Sequence, residues 1–448
     1  MNKVFCVKYS LSLKRTVLLV LFLSIISCNP SFSQGELSKE LNEKSTTLDA
    51  YFTALTELKK FNGVLLASFN DTLVLKKAYN INTDPGSSSY VSVGDQFDIH
   101  SVAKLMTHYL IVKLAENKRL AMQQTIDTFY PDFPNGDLIT IEMLLNHRSG
   151  LPRELQNLSP KEIELSPDAI VDLAKKQELL FQPGSNVQYS NVGYEVLYHI
   201  ISKIYEKPFA QCIIDEVFVP LGMNQSGAHF HTKEDRKEHL AKNHVLSDST
   251  LTVVPNILED EFKTARLFST AADLHTFLDE LKKEPYQSAL KNEEGIIAKD
   301  GGSKGIRAQV YCNINHNFTF VLLANYDGIP FFQTIEDVVK CMKGAPVDFP
   351  RELNRQAITV PKEILEQYVG SYAFADFDGL ILRIDIEGNH LVVFQDGKKI
   401  ATLKAETETL FFENPRAAES FEFVENDSGS FNTMMGWKGI SVEGKKIE

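Results

Sequence analysis

Leu105, Met106, Tyr109, Leu110, Val112 and Leu114 make an apolar run that is satisfied only by burial on most sides, which predicts a helix through the interior. Ser101-Val102-Ala103-Lys104 stands at the mouth of that run. Residues three apart share a helix face, so the hydroxyl of Ser101 and the amine of Lys104 can meet there. A serine hydroxyl is a poor nucleophile until a base takes its proton, and a neutral lysine is such a base. In a first helical turn Ser101 would also lie among free backbone N–H groups, where the helix dipole favours developing negative charge. Together these features suit acyl transfer. The four-residue pattern alone is not decisive: Ser288-Ala289-Leu290-Lys291 repeats it in a charged stretch with no apolar helix behind it.

The 448 residues, 43% of them apolar, support two to three domains with a substantial core. Lys3, Lys8, Lys14 and Arg15 precede an apolar stretch over 17–26. That stretch is too short to span a bilayer and predicts an export signal over 1–33. Its exit reads in two ways. Ile25-Ile26-Ser27-Cys28 has the form of a bacterial lipobox, with Cys28 as the lipid-bearing residue, whereas Ser31-Phe32-Ser33 before Gln34 has the small-x-small form of ordinary cleavage. The lipoprotein is the preferred reading, which places the chain in the bacterial periplasm or on the outer membrane, with secretion as the alternative. Beyond the signal, 42 basic against 59 acidic residues leave a charge of −17, which argues against a nucleic-acid partner. Membrane contact would then come only through a lipid anchor. Cys212, Cys312 and Cys341 are odd in number and far apart, so they read as buried thiols and not as a disulfide framework.

A polar helical lead covers 37–60, with 34–48 set apart as a linker. Gly63-Val64-Leu65-Leu66-Ala67-Ser68-Phe69 and Thr72-Leu73-Val74-Leu75 flank Asn70-Asp71 and predict a hairpin. Further helices are predicted over 139–146, stopped by Ser149-Gly150-Leu151-Pro152, over 193–205, and over 271–282 after Ser269-Thr270. Strands are predicted over 308–312 and 318–324, after a Gly-rich turn at Gly301-Gly302. The texture changes after a Pro-containing, weakly patterned stretch, so 49–345 is the main domain, 346–362 a linker and 363–448 a second domain. In the latter, Leu380, Leu382, Ile384 and Ile386 alternate with partly polar residues, and Gly388-Asn389, Asp396-Gly397 and Asn426-Asp427-Ser428-Gly429 are turn signals. Short strands at that spacing predict a small antiparallel β-barrel or sandwich.

Two further motifs accompany Ser101. Gln188-Tyr189-Ser190-Asn191 follows a Pro-Gly turn and precedes a Gly-containing helix. A tyrosine among cations can relay a proton to a leaving group, and an asparagine two residues on can hydrogen-bond the lysine and a substrate amide. Tyr311-Cys312-Asn313 shows that this triplet also recurs by chance. Lys299-Asp300-Gly301-Gly302 precedes a strand; its lysine would add positive potential that depresses the pKa of Lys104, and its glycines would let backbone approach a reacting carbonyl.

With Ser101-x-x-Lys104, Tyr189-x-Asn191 and Lys299-x-Gly301 in this order, the chain resembles the serine β-lactamase-related family of class C β-lactamases, DD-peptidases, D-aminopeptidases and family VIII esterases. Ile139-Thr140-Ile141-Glu142-Met143-Leu144-Leu145-Asn146-His147-Arg148-Ser149-Gly150-Leu151-Pro152, Pro220-Leu221-Gly222-Met223 and Ser269-Thr270-Ala271-Ala272-Asp273-Leu274 are phrases of that family. The resemblance spans about 61–324. It implies an α+β, β-lactamase/penicillin-binding-protein-like fold, with a five-stranded antiparallel sheet flanked by helices beside a helical lobe. The tail resembles a lipocalin-like barrel. By the same resemblance Ser101 is the acylated nucleophile, with Lys104 as base alone or shared with Tyr189. Asn191 and Lys299 complete the network, Asp300 and Gly301 line the substrate, and the backbone N–H groups of Ser101 and Gly302 form the oxyanion hole. No cofactor or metal is implied. The chain departs from the pattern at Asp300, where Thr, Ser or Gly is usual, and at Ser303-Lys304-Gly305-Ile306, which lacks the usual proline.

Other candidates carry less. His229, His231, His239 and His244 fit no standard zinc spacing and read as a solvated loop. His147 suits a helix C-terminus structurally, His100 could line the pocket, and Trp437 reads as barrel core. Glu352-Leu353-Asn354 echoes a deacylation motif but follows the third motif, in the linker. The leading reading is an exported serine hydrolase acting through an acyl-enzyme on an ester, amide or peptide, as an esterase, D-aminopeptidase or carboxypeptidase, with weak β-lactamase action. The alternative is a penicillin-binding or sensing lipoprotein that acylates with little turnover.

Overall fold

A computed structural model describes residues 34–155, 167–229, 239–247, 250–254, 266–375, 380–437 and 440–447 of the chain. The export signal with Cys28, and His231, lie outside the described residues. In chain order, α1 (Gln34–Glu57) leads into the hairpin of β1 (Gly63–Phe69) and β2 (Thr72–Tyr79). The stretch 34–48, set apart above as a linker, lies within α1, and Leu48 is buried. Strand β3 (Phe97–Asp98) and a 3-10 turn (His100–Val102) precede α2 (Ala103–Glu116). The helices α3 (Ile141–Leu145), α4 (Pro167–Ala174), α5 (Asn191–Tyr205) and α6 (Phe209–Ile213) follow, then β4 (Gly227–Ala228), the hairpin β5 (His244–Ser247) and β6 (Thr250–Val253), and β7 (Leu267–Ser269). After α7 (Ala271–Leu281) and α8 (Tyr286–Leu290) come β8 (Ile296–Ser303), β9 (Ile306–Asn313), β10 (Phe318–Ala324) and α9 (Phe331–Met342).

The main sheet is antiparallel in the order β2-β1-β10-β9-β8. Its central strands β1 and β10 carry almost no polar side chains because both faces are covered. Alternation then divides their residues. Val64, Leu66, Val321 and Leu323 join the core shared with α2, α5 and α7, whereas Leu65, Ala67, Phe320 and Leu322 pack with Phe52, Leu55 and Met342 from α1 and α9. Helix α2 runs through the first core, with Met106, Leu110 and Ile111 fully buried. Truncating such a leucine to alanine costs about 2–5 kcal/mol, since the cavity refills poorly. Helix α5 starts at Ser190, whose Oγ accepts from Gly193 N at 2.9 Å, and α7 starts at Thr270, whose Oγ1 accepts from Asp273 N at 3.2 Å.

The tail is a closed eight-stranded barrel, β11 (Gly370–Phe374), β12 (Leu380–Glu387), β13 (His390–Gln395), β14 (Lys398–Ala405), β15 (Leu410–Phe412), β16 (Ser420–Glu425), β17 (Phe431–Trp437) and β18 (Ile440–Lys446), with β18 pairing back to β11. The turn signals fall between these strands as expected. Its interior is filled by Tyr368, Tyr372, Phe374, Phe411 and Phe423. Trp437, read from sequence as core, is 38% exposed on β17. Thr433 and Met435, which share its face by the period of two, are buried, so Trp437 stands at the exposed end of that row, where β17 finishes.

Two further sequence expectations change. Gly301 and Gly302 are not a turn but lie inside β8, and the chain reverses at Lys304-Gly305, where Gly305 has φ +80°. Two of the described histidines do not belong to a solvated loop either. His229 and His244 are buried: His229 Nε2 lies 2.5 Å from Asp98 Oδ1, and His244 Nε2 lies 3.1 Å from Ser88 Oγ. His239 alone of the described three is exposed. Among the described residues, no group of three or more His, Cys, Asp or Glu could hold a metal, and no helix is long and apolar enough to cross a membrane. Cys212, Cys312 and Cys341 are free and buried.

Candidate active site

Ser101 occupies the middle of the 3-10 turn, immediately before α2 and not within its first α-helical turn. The residue before it, His100, has φ +45°, a left-handed conformation that a side chain tolerates only when the surroundings impose it. Those surroundings are clear on both sides. Ile99 N donates to Leu267 O at 3.1 Å, holding the turn to β7. On the other side, a Cβ on Gly301 would collide with Ile99 O and stand 2.9 Å from Ser101 N. Glycine at 301 therefore allows β8 to lie directly against the serine-bearing turn.

Around Ser101 Oγ the three motifs converge. Lys104 Nζ donates to it at 3.3 Å and Tyr189 Oη at 2.9 Å. Lys104 is only 7% exposed, at the start of the buried helix. Tyr189 lies just before α5, and the Nζ atoms of Lys104 and Lys299 each stand 5.1 Å from its ring centroid, as does Arg153 Cζ. A phenol ringed by cations is well placed to pass a proton, because negative charge on its oxygen is compensated from several directions. The His147 ring packs at 4.4 Å from the Tyr189 ring. Burial, then the positive charges of Lys299 and Lys104, push the His147 pKa down to about 4, so this ring is neutral near pH 7.

The remaining candidates are placed less directly. Side chains alternate along β8, so Ile297, Lys299 and Gly301 share the side facing the serine turn, and Asp300 projects from the more exposed side with Ala298 and Gly302. Asp300 is 58% exposed, and Lys299 Nζ stands 3.8 Å from its Oδ1. Gly302 pairs with Arg307 across the β8–β9 turn. Asn191 Nδ2 donates to Glu154 Oε1 at 2.6 Å, so its amide is tied to the segment after Pro152. His100 Nε2 lies 3.3 Å from Ser303 Oγ, at the rim. Sequence reasoning did not single out Arg153 and Glu154, and read His147 as structural. The signal was nevertheless present, because all three lie in or beside the phrase His147-Arg148-Ser149-Gly150-Leu151-Pro152. A hydroxyl held by an amine and a phenol, beside two backbones brought close by glycine, can attack a carbonyl and steady the resulting oxyanion.

Comparison with known proteins agrees with this fold. Penicillin-binding protein 4* of Bacillus subtilis is 25% identical over an alignment of 437 positions that covers 87% of this chain and 96% of that protein. The octameric penicillin-binding protein homologue from Pyrococcus abyssi superposes with a TM-score of 0.58 at 18% identity, covering 89% of this chain and 99% of the other. The D-amino acid amidase from Ochrobactrum anthropi SV3, complexed with D-phenylalanine, superposes with a TM-score of 0.56 at 17% identity, over 67% of this chain and 99% of its own. These likenesses at low identity establish the fold. The Beta-lactamase family model matches residues 48–306, more than half of the chain. With that match the chain belongs to the β-lactamase family, as a serine hydrolase of that family.

Proposed function

We propose that this chain is an exported hydrolase that cleaves a small ester or amide through an acyl-enzyme on Ser101. Ser101 Oγ attacks the carbonyl carbon, and its proton passes to Lys104 Nζ, directly or through Tyr189. The backbone N–H groups of Ser101 and Gly302 receive the oxyanion. The Tyr189 hydroxyl, reprotonated from the Lys104–Lys299 side, delivers a proton to the departing alkoxide or amine. Water then attacks the acyl group, yielding the acid and restoring the serine. The single observation that supports this reading is the convergence of Lys104 Nζ and Tyr189 Oη on one hydroxyl.

Within this chemistry, neutral or amine-bearing esters and amides, including those of D-amino acids, are preferred over β-lactams. The support is Asp300, whose carboxylate stands where relatives present a small or hydroxyl residue to an anionic substrate. The test is a fluorophosphonate label on the pure protein, followed by a chromogenic cephalosporin, p-nitrophenyl esters and D-amino-acid anilides side by side. Labelling with sustained ester or anilide turnover supports the proposal. A burst without turnover instead marks a penicillin-binding or sensing lipoprotein. Export with a lipid on Cys28 is tested separately: Cys28→Ala should move the protein from membrane to soluble fractions, and a soluble wild-type protein beginning at Gln34 would reject lipidation.

A further inference from the structure

His147 holds the chain on both sides of Tyr189. Its carbonyl accepts from Gln188 N at 2.9 Å, and its Nδ1 accepts from Ser190 N at 3.1 Å. Between these two bonds its ring lies against the Tyr189 ring at 4.4 Å, and on its other neighbour, Tyr194, at 5.1 Å. Tyr194 is itself tied down, with Oη donating to Leu145 O at 3.0 Å. His147 has φ +57° just past the end of α3, so a left-handed residue turns the chain there and brings the imidazole towards Tyr189. Ser190 then caps α5, which fixes the residue after the tyrosine a second time.

We propose that His147 is the positioning residue for Tyr189, fixing the phenol so that its hydroxyl stays within hydrogen-bond reach of Ser101 Oγ. This inference rests on the acyl-enzyme reading above. The Ser190 N–H needs a lone pair on Nδ1, so the proton of the neutral ring sits on Nε2. Protonating Nδ1 would break the bond to Ser190 and set a cation among Lys104, Lys299 and Arg153, the charged groups about Tyr189 from α2, β8 and the segment after α3. Burial, then the charges of Lys299 and Lys104, hold the His147 pKa down and keep the ring neutral. His147 thus contributes as a fixed neutral acceptor and a flat surface, and it exchanges no proton with substrate.

A double-mutant cycle on the full chain tests this, read as the rate of fluorophosphonate labelling and as kcat/KM for a p-nitrophenyl ester. His147→Ala should slow both by about 10- to 100-fold, the usual consequence of misplacing a reacting group by an ångström, with kcat falling more than KM rises. His147→Asn, which can still accept from Ser190 N, should recover part of the loss. The decisive arm is Tyr189→Phe, which keeps the ring but has no hydroxyl to position. In that background His147→Ala should cost less than about twofold. Full additivity of the two losses would overturn the proposal, because it would mean that His147 acts independently of Tyr189. A Tyr189→Phe protein with wild-type rates would overturn it together with the proton-relay role, whereas loss of the acyl-enzyme reading itself shows as labelling that survives Ser101→Ala. Should His147→Ala fail to fold, the Asn variant carries the same cycle.

Discussion

Ser101-x-x-Lys104 and Ser288-x-x-Lys291 are the same pattern in two places, and the molecule treats them differently. Lys104 opens a buried helix and reaches back to Ser101 Oγ at 3.3 Å. Ser288 lies exposed on α8, where its Oγ donates to Glu284 Oε1 at 2.7 Å. Lys291 is no longer helical: it caps α8 in an extended conformation, so it does not share a face with Ser288. The two Tyr-x-Asn triplets divide the same way. Tyr189 faces Ser101, whereas Tyr311 lies in β9 stacked on Phe320 at 4.9 Å, and Asn313 is spent on accepting from His316 N. Reactive groups are thus made by a meeting of segments. A 3-10 turn, a helix start and an edge strand from distant parts of the chain close on one hydroxyl, and no such meeting occurs at Ser288.

The largest effect should come from removing that hydroxyl. Ser101→Ala should abolish labelling and lower hydrolysis by roughly 10⁴-fold or more at unchanged melting temperature, and Lys104→Ala should follow at roughly 10²- to 10⁴-fold. Next comes the support behind the turn. The buried Asp98–His229 bond fastens β3, three residues before Ser101, to the end of β4. Asp98→Ala removes this acceptor from a buried imidazole and should cost about 1–3 kcal/mol of stability, read by denaturant titration, with activity falling as the turn loosens. A smaller change is due at Asp300. Because its carboxylate is exposed and beside Lys299, Asp300→Thr should raise the cephalosporin-to-ester ratio of kcat/KM by only about three- to tenfold. An unchanged ratio would remove Asp300 as a selectivity element.

A pH effect is read on stability and not on activity. The folded His147 takes up its proton near 4, below the ordinary value of 6.5, so the unfolded chain binds that proton first as pH falls. Its contribution to stability is therefore complete above about pH 6.5 and is lost progressively down to about 4. Melting temperatures of His147→Asn should decline less over that interval than those of the wild type. At the bottom of the scale, Ser288→Ala and Lys291→Ala should leave labelling and turnover unchanged. A loss there would break the contrast between the two copies.

The sequence carried the parts of this account that rest on period and on short motifs. The α2 run, the Asn70-Asp71 hairpin and the Asp396-Gly397 turn are local, and each formed where the pattern put it. Ser101, Lys104, Tyr189 and Lys299 were legible because each stands in a recognisable setting. What escaped depended on contacts between distant segments. Gly301-Gly302 read as a turn because glycine usually marks one, but here it serves the approach of β8 to Ile99. His229 and Asp98 are 131 residues apart, so a buried pair looked like a polar loop. His147 sat inside a quoted phrase, yet its hold on residues 188 and 190 exists only once α3 and α5 pack together.

The most direct test of the central claim is mass spectrometric mapping of the covalent adduct. Wild type, Ser101→Ala and Ser288→Ala proteins would be treated with a fluorophosphonate, quenched, digested and sequenced by fragmentation. The adduct should lie on Ser101 alone, at equal yield in wild type and Ser288→Ala, and be missing from Ser101→Ala. Modification at Ser288, or labelling of Ser101→Ala at the wild-type rate, would contradict the assignment of Ser101 as the nucleophile.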